Sequence, residues 1–141
     1  MPRRVVILRH TLPDGSTHLD LMLERAPACP RSAADPDDRR LITFQLPDPL
    51  PTDDASPIDA RRLPEHRAHY LDHEGPIDTA RGRVDRLLTG RLDDLDETPD
   101  RLEGAFTTRA AVTRLLARRI AADHWRLTLD PRPYLKLRSI Q

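Results

Sequence analysis

Two histidines and one aspartate near the N-terminus have the types and spacing that suit metal chemistry. His18 and Asp20 are separated by one residue, so in a strand both side chains point to the same face. A hairpin that turns through Asp14-Gly15 can bring His10 opposite this pair. Two imidazoles and a carboxylate can converge on one divalent ion and leave open positions for water or substrate. The alternative is a solvated polar strand face that holds no metal.

A second concentration of reactive side chains runs through residues 65–76. Three of the six histidines lie here within eight positions, beside Tyr70. If the segment is extended, His66 and Tyr70 share one face, so that an imidazole and a phenol point together. Such a pair can donate to a phosphate or protonate a leaving oxygen. His69 and His73 are interpreted as surface residues.

The elements that must position the first group form a predicted β-hairpin. Residues 5–10 and 18–24 have the composition of strands, and the second segment alternates strictly between leucines and polar or longer side chains. Pro13-Asp14-Gly15-Ser16 lies between them and is typical of a turn, because glycine tolerates positive φ and proline presets its own φ.

Short segments further along the chain predict a mainly β protein. Residues 27–57 hold seven of the fourteen prolines, which excludes regular helix over most of this stretch, but residues 41–46 interrupt it as a strand. Residues 110–122 are the exception, because their apolar side chains recur at helical spacing and predict a helix. Many short strands suggest a small barrel or sandwich. The further strand candidates are residues 68–71, 82–88, 102–106 and 125–129.

Composition limits the class of protein. A chain of 141 residues fits one domain, predicted here to span residues 1–141. Lys plus Arg equals Asp plus Glu at 23 each, which argues against coating nucleic acid or membranes through bulk charge and leaves a local basic site open. All of these cations except Lys136 are arginines, the side chain suited to bidentate contacts with phosphate or carboxylate.

The expected compartment is the cytoplasm. The apolar run at residues 5–8 is far too short for a signal-peptide core or a membrane span. Cys29 is the single cysteine, so it forms no internal disulfide and indicates no oxidising compartment.

Taken together, the two groups resemble the 3′-phosphoesterase module of bacterial DNA ligase D, including its free-standing relatives. In that family a strand leads into a histidine, a turn leads to His-(aromatic)-Asp, and a later His-x-x-x-Tyr is followed by Glu-Gly and Pro. The matching residues here are His10, His18-Leu19-Asp20, His66 with Tyr70, and Glu74-Gly75-Pro76. The similarity covers roughly the first 90 residues well and the rest weakly.

The resemblance implies a fold, a cofactor and an activity. It implies a small closed β-barrel with one or two short flanking helices. It also implies a bound divalent metal ion, for which manganese is the first choice. It implies removal of a terminal ribonucleotide, then of the remaining phosphate, from the 3′ ends of DNA primer strands during repair. Under it, His10, His18 and Asp20 are metal ligands, while His66 and Tyr70 contact the scissile phosphate. The implied partners are primer-template DNA ends and a separate DNA ligase or end-joining factor, with the protein itself a monomer and not bound to membranes.

Two residues depart from the family pattern. Leu19 replaces the aromatic residue after His18, which is interpreted as a packing change. Met22 stands where active family members carry an arginine that grips the phosphate, and methionine cannot make that charge-assisted contact. Arg9, Arg62 and Arg67 are the candidates to replace it.

Two other functions compete with the phosphoesterase hypothesis. A non-catalytic module that binds nucleic-acid ends would keep the fold and tolerate Met22. An iron-dependent oxygenase would use His18, Asp20 and the distant His66 as a facial triad. The oxygenase hypothesis ranks last, because it leaves His10 and Tyr70 unexplained.

Overall fold

The structure is a computed structural model that describes residues 2–51, 56–78 and 80–133. It is mainly β. A four-residue α-helix, α1 (Pro30–Ala33), and a 3-10 helix (Ala68–Leu71) are the helices within these residues. The strands are β1 (Arg3–Thr11), β2 (Thr17–Glu24), β3 (Leu41–Leu46), β4 (Ile58–His66), β5 (Gly75–Pro76), β6 (Arg83–Thr98), β7 (Arg101–Thr107), β8 (Ala111–Ala121) and β9 (His124–Pro133).

The nine strands form one antiparallel sheet whose ends meet. Their order is β1-β2-β3-β4-β9-β8-β7-β6-β5, and β1 also pairs with β6. This extra pairing closes β1, β2, β3, β4, β9, β8, β7 and β6 into a ring. The two-residue β5 lies outside the ring, paired with the start of β6. Closure protects strand edges from pairing with other chains.

The main hydrophobic core lies on the inner face of the ring. Alternate residues from all eight strands of the ring meet there, and Phe44 of β3 and Trp125 of β9 contact edge to face with ring centroids 5.4 Å apart. Phe106 of β7 is also fully buried in this core. Because the two faces of a strand alternate, the residues between these positions point outward.

A second, smaller core covers part of the outer face, and we call it the outer apolar cluster. It explains why residues 5–8 are buried without alternation: Val5 and Ile7 face the inner core, while Val6 and Leu8 face outward into this cluster. The 3-10 helix contributes Tyr70 and Leu71 to this cluster. The members are Val6, Leu8, Met22, Leu41, Tyr70, Leu71 and Val84.

The helix predicted for residues 110–122 is wrong, because this segment is β8. Its buried residues are Ala111, Thr113, Leu115 and Ala117, which alternate as in a strand, whereas Ile120 of the predicted helical face is 49% exposed. The strand pairs with β7 on one side and β9 on the other. Pairing on both edges outweighs the helical preference of its alanines.

The strand predicted for residues 68–71 is also wrong, since these residues form the 3-10 helix. The backbone N–H of Ala68 donates to the carbonyl of Asp38 at 2.8 Å, which ties the helix to the loop before β3. The hairpin, β3, and strands at residues 83–88, 102–106 and 125–129 are confirmed. Within the described ranges, no helix has the length and apolar character required to cross a membrane.

Candidate functional site

The β1–β2 hairpin brings the three predicted metal ligands together. Its register places His10 directly opposite His18, and Asp20 follows two residues later on the same outer face. The turn is held by the N–H of Leu12, which donates to the carbonyl of Ser16 at 2.8 Å. Antiparallel pairing thus converts a separation of eight residues in sequence into a contact between two imidazole rings.

The distances between the polar atoms of this cluster fit a shared ion. His10 Nδ1 lies 3.2 Å from His18 Nε2 and 3.9 Å from Asp20 Oδ2, and His18 Nε2 lies 3.3 Å from Asp20 Oδ1. Two ligands bound to one ion at about 2.1 Å in tetrahedral or octahedral geometry are about 3.0 to 3.4 Å apart. Among the described residues, only this group of three or more possible ligands converges in this way.

Burial makes the aspartate of the cluster a strong candidate for a cation ligand. Asp20 is 4% exposed, and its Oδ1 has no hydrogen-bond partner, one of only two such buried side-chain atoms in the described ranges. The Asp20 carboxylate raises the pKa of His18, although the contact between His18 Nε2 and Asp20 Oδ1 does not have the geometry of a hydrogen bond. Burying a carboxylate oxygen that accepts no hydrogen bond is costly, and a bound divalent ion would remove that cost. The donor set therefore fits a metal ion.

The main chain of Arg81 orients the ring of His10. His10 Nε2 lies 2.7 Å from the carbonyl oxygen of Arg81, which can only accept a hydrogen bond. Neutral His10 therefore carries its proton on Nε2 and presents the lone pair of Nδ1 to the cluster. Metal-binding histidines are commonly fixed in this way by a carbonyl or a carboxylate.

A close backbone approach holds this carbonyl in place. Gly82 has a φ of +89°, and a Cβ atom there would lie 1.9 Å from the carbonyl oxygen of Thr11. The N–H of Ile77 donates to the carbonyl of Gly82 at 2.8 Å, which tightens the turn that carries Arg81. Only glycine fits this position without moving the turn away from β1.

We expect Gly82→Ala to weaken manganese binding by about 10- to 100-fold, because the displaced turn removes the carbonyl that orients His10. The measurement is the free manganese concentration, followed by electron paramagnetic resonance during a titration. Gly75→Ala is the matched control, since Gly75 has a φ of +102° but no atom within 4 Å of its Cβ position. Equal affinities for the two variants would contradict the role of the turn.

His66 and Tyr70 come together through a helical turn rather than along an extended strand. Their ring centroids lie 5.7 Å apart, with His66 at the end of β4 and Tyr70 in the 3-10 helix. His66 Nδ1 lies 2.8 Å from the carbonyl oxygen of Pro64 and must donate to it, so Nε2 faces a substrate with a lone pair in the neutral ring and with a proton in the imidazolium. The predicted shared strand face is therefore wrong, while the predicted proximity is confirmed.

These two rings line a cavity of about 290 Å³ that is rich in arginine. Arg39, Arg67 and Arg81 line it with His66 and Tyr70, and we call it the arginine pocket. Glu65 is its single acidic lining residue. Arg81 connects the pocket to the metal-ligand cluster, because it lines the pocket and its carbonyl contacts His10. Three guanidinium groups beside a tyrosine and a histidine are suited to a phosphate group.

The structure brings only one of the three predicted phosphate-binding arginines to this pocket. Arg67 lines it, although its guanidinium also pairs with Asp37 at 3.0 Å. Arg9 and Arg62 do not line it. Arg9 is on the face of β1 opposite to His10 and binds Asp48 at 2.8 Å. Sequence reasoning missed Arg39 and Arg81, for which no spacing signal exists.

Arg62 lies at a different cleft, of about 810 Å³, which has no metal-ligand cluster beside it in the described residues. Its guanidinium lies over the ring of Trp125, 5.0 Å from the centroid, and is 3.4 Å from Glu97. Glu97 is also bound by Arg25. Opposite charges therefore offset one another in this cleft, and we do not assign the chemistry to it despite its size.

No protein-family model matches this chain, and no curated protein matches it either. The resemblance to 3′-phosphoesterase modules thus depends on the motifs quoted above. Function is best argued from the geometry around His10 and His66.

Two further observations bear on the competing functions. Met22 is 1% exposed and belongs to the outer apolar cluster with Tyr70, so its side chain packs and offers no phosphate contact. The facial triad of His18, Asp20 and His66 is not assembled, because His10 takes the third position of the cluster. This placement removes the specific arrangement on which the oxygenase hypothesis was based.

Proposed function

We propose that the protein is a metal-dependent phosphoesterase that processes the 3′ ends of DNA or RNA-tailed DNA strands. The observation that carries this proposal is the convergence of His10, His18 and the buried Asp20 next to the arginine pocket. The proposal includes membership of the 3′-phosphoesterase family and a closed β-barrel formed by the ring of strands. It also includes a role in DNA repair with a separate ligase or end-joining factor, in the cytoplasm.

His10, His18 and Asp20 would hold the ion, for which manganese is proposed. When bound, the metal would act as a Lewis acid on a phosphate oxygen and help to position water. Two features of this chain support the assignment: Asp20 Oδ1 is buried without a hydrogen bond, and His10 Nδ1 faces His18 and Asp20.

The pocket residues would bind the phosphate group and transfer the proton. Arg39, Arg67 and Arg81 would bind the non-bridging oxygens of the phosphate, and the Tyr70 hydroxyl would donate to one of them. Removal of the terminal phosphate forms a bond between a water oxygen and phosphorus and breaks the bond between phosphorus and O3′. The imidazolium form of His66, with Nδ1–H donating to the Pro64 carbonyl, would give its Nε2 proton to O3′, and Nε2 would then accept the proton lost by the attacking water.

The test is release of inorganic phosphate from a primer-template that carries a 3′-phosphate, in the presence of manganese. We expect release by the wild type and a loss of at least about 100-fold in His10→Ala, because a ligand is removed. His124→Ala is the control, since His124 is an exposed histidine on β9 that contacts Asp59. Equal rates for wild type and His10→Ala would contradict the proposal.

Binding of 3′ ends without catalysis is the second candidate, and Met22 is the observation that favours it. The side chain at this position is buried among apolar residues, so one phosphate contact of the family pattern is missing. This candidate predicts manganese binding and salt-sensitive affinity for DNA ends without phosphate release. Absence of such affinity at low salt would exclude it.

A further inference from the structure

We propose that Arg81 joins the two halves of the site: its carbonyl positions His10, and its guanidinium binds the phosphate group of the substrate. This inference rests on the proposed function and deepens it. Arg81 would supply the charge-assisted contact that Met22 cannot make. The ligand class is a phosphate monoester or the inorganic phosphate ion.

The placement of the backbone is the first step of the argument. Arg81 accepts the 2.7 Å hydrogen bond from His10 Nε2, and Gly82 holds the turn against Thr11. The position of the Arg81 Cα relative to the metal-ligand cluster is therefore fixed by main-chain contacts. An anion bound by the guanidinium would therefore lie within the length of one arginine side chain from this backbone contact.

The second step is the state of the side chain. Arg81 is exposed and lines the arginine pocket, and its guanidinium has no ion pair or hydrogen bond to any residue in the ranges 2–51, 56–78 and 80–133. Arg67, in contrast, already pairs with Asp37. Arg9 pairs with Asp48 outside the pocket, and Arg62 pairs with Glu97 and, at 3.7 Å, with Glu65. Arg81 is thus available to an anion without first breaking an internal ion pair with the described residues.

The third step is the charge of the pocket. Three arginines face one lining carboxylate, and that carboxylate, Glu65, is itself bound by Arg25 at 2.9 Å. The pocket therefore keeps a local positive charge although the whole chain has a net charge of zero. Local charge of this kind selects an anionic group without general attraction to nucleic acid.

The experiment is titration of metal-free protein with inorganic phosphate, followed by isothermal calorimetry. We expect Arg81→Ala to weaken phosphate binding by about tenfold, the effect of losing one charge-assisted contact. Arg81→Lys should recover part of the affinity. Arg61→Ala is the matched control, because Arg61 is an exposed strand arginine that pairs with Asp123 away from the pocket. Manganese affinity of Arg81→Ala should stay within about twofold of the wild type, since the carbonyl remains.

Kinetics separate this inference from the proposed function. In the phosphate-release assay, Arg81→Ala should raise KM at least about tenfold and lower kcat by a smaller factor. Phosphate binding that depends on Arg81, in a protein that releases no phosphate, would contradict the enzyme and support the anion site. Phosphate release that is unchanged in Arg81→Ala would support the enzyme and overturn the role of Arg81. Absence of phosphate binding by the wild type would overturn it as well.

Discussion

Replacing Asp20 by asparagine is expected to remove nearly all of the thermal stabilisation that we expect manganese to give to the wild-type protein. Asp20 supplies the only anionic ligand of the cluster, and it does so from a buried position. An amide of nearly the same shape keeps the packing but removes the charge that attracts a divalent ion. We therefore expect manganese affinity to fall by at least about 100-fold.

The size of the thermal effect follows from mass action. A ligand at one hundred times its Kd stabilises the folded state by about 2.7 kcal/mol. For a chain of this length, that corresponds to a rise in Tm of about 8 °C. The wild type should show this rise with manganese, whereas Asp20→Asn should show a rise of no more than about 1 °C at the same concentration.

A second carboxylate of the sheet provides the control for this experiment. Asp59 lies on β4, and its side chain is 72% exposed beside His124 and Arg126. Asp59→Asn should keep the full response to manganese. A wild-type response that persists in Asp20→Asn would mean that manganese binds elsewhere, and the metal assignment to His10, His18 and Asp20 would fall.

The metal-ligand cluster could be predicted from the sequence because every contact in it is local. Strict alternation in residues 18–24 sets which side chains share a face, and a turn signal sets where the chain reverses. Together they fix the register that opposes His10 to His18. The same alternation places Arg9 on the face opposite to His10, a placement that the sequence already contained.

The arginine pocket could not be predicted in the same way, because its residues come from separate loops. Arg39 precedes β3, Arg67 follows β4, and Arg81 precedes β6. Their meeting depends on how the strands are ordered in the ring and on the tight turn at Gly82. No periodicity in the sequence encodes contacts of this kind, which are set by tertiary structure.

The segment at residues 110–122 shows a second limit of pattern reasoning. Val112, Leu115, Leu116 and Ile120 fit a helical face, while Leu115 and Ala117 also fit the buried face of a strand. Periodicity alone cannot separate the two when alanine fills several positions. Two neighbouring strands, β7 and β9, supply the hydrogen bonds that decide the outcome. The nine-residue β4 was missed for a related reason, since charged residues and Pro64 interrupt its apolar pattern.

Phe44→Ala is expected to cause the largest loss of stability among the changes considered. Phe44 is fully buried on the inner face of β3, paired with Leu21 of β2 and in edge-to-face contact with Trp125. Removing a buried phenylalanine side chain leaves a cavity and costs about 3 to 5 kcal/mol. Native domains are stabilised by only about 5 to 15 kcal/mol, so the urea midpoint should fall sharply.

The same variant also tests whether the two faces of the ring act independently. Phe44 points inward, whereas His10, His18 and Asp20 lie on the outer face. Manganese affinity, measured well below the unfolding midpoint, should therefore stay within about twofold of the wild type.

Leu87→Ala is the control for stability, because Leu87 is 46% exposed and its loss should cost no more than about 0.5 kcal/mol. If Phe44→Ala shifted the midpoint no further than Leu87→Ala does, the inner face would not be the main core. If it also removed manganese binding, the site would depend on packing across the ring rather than on the local geometry of the hairpin.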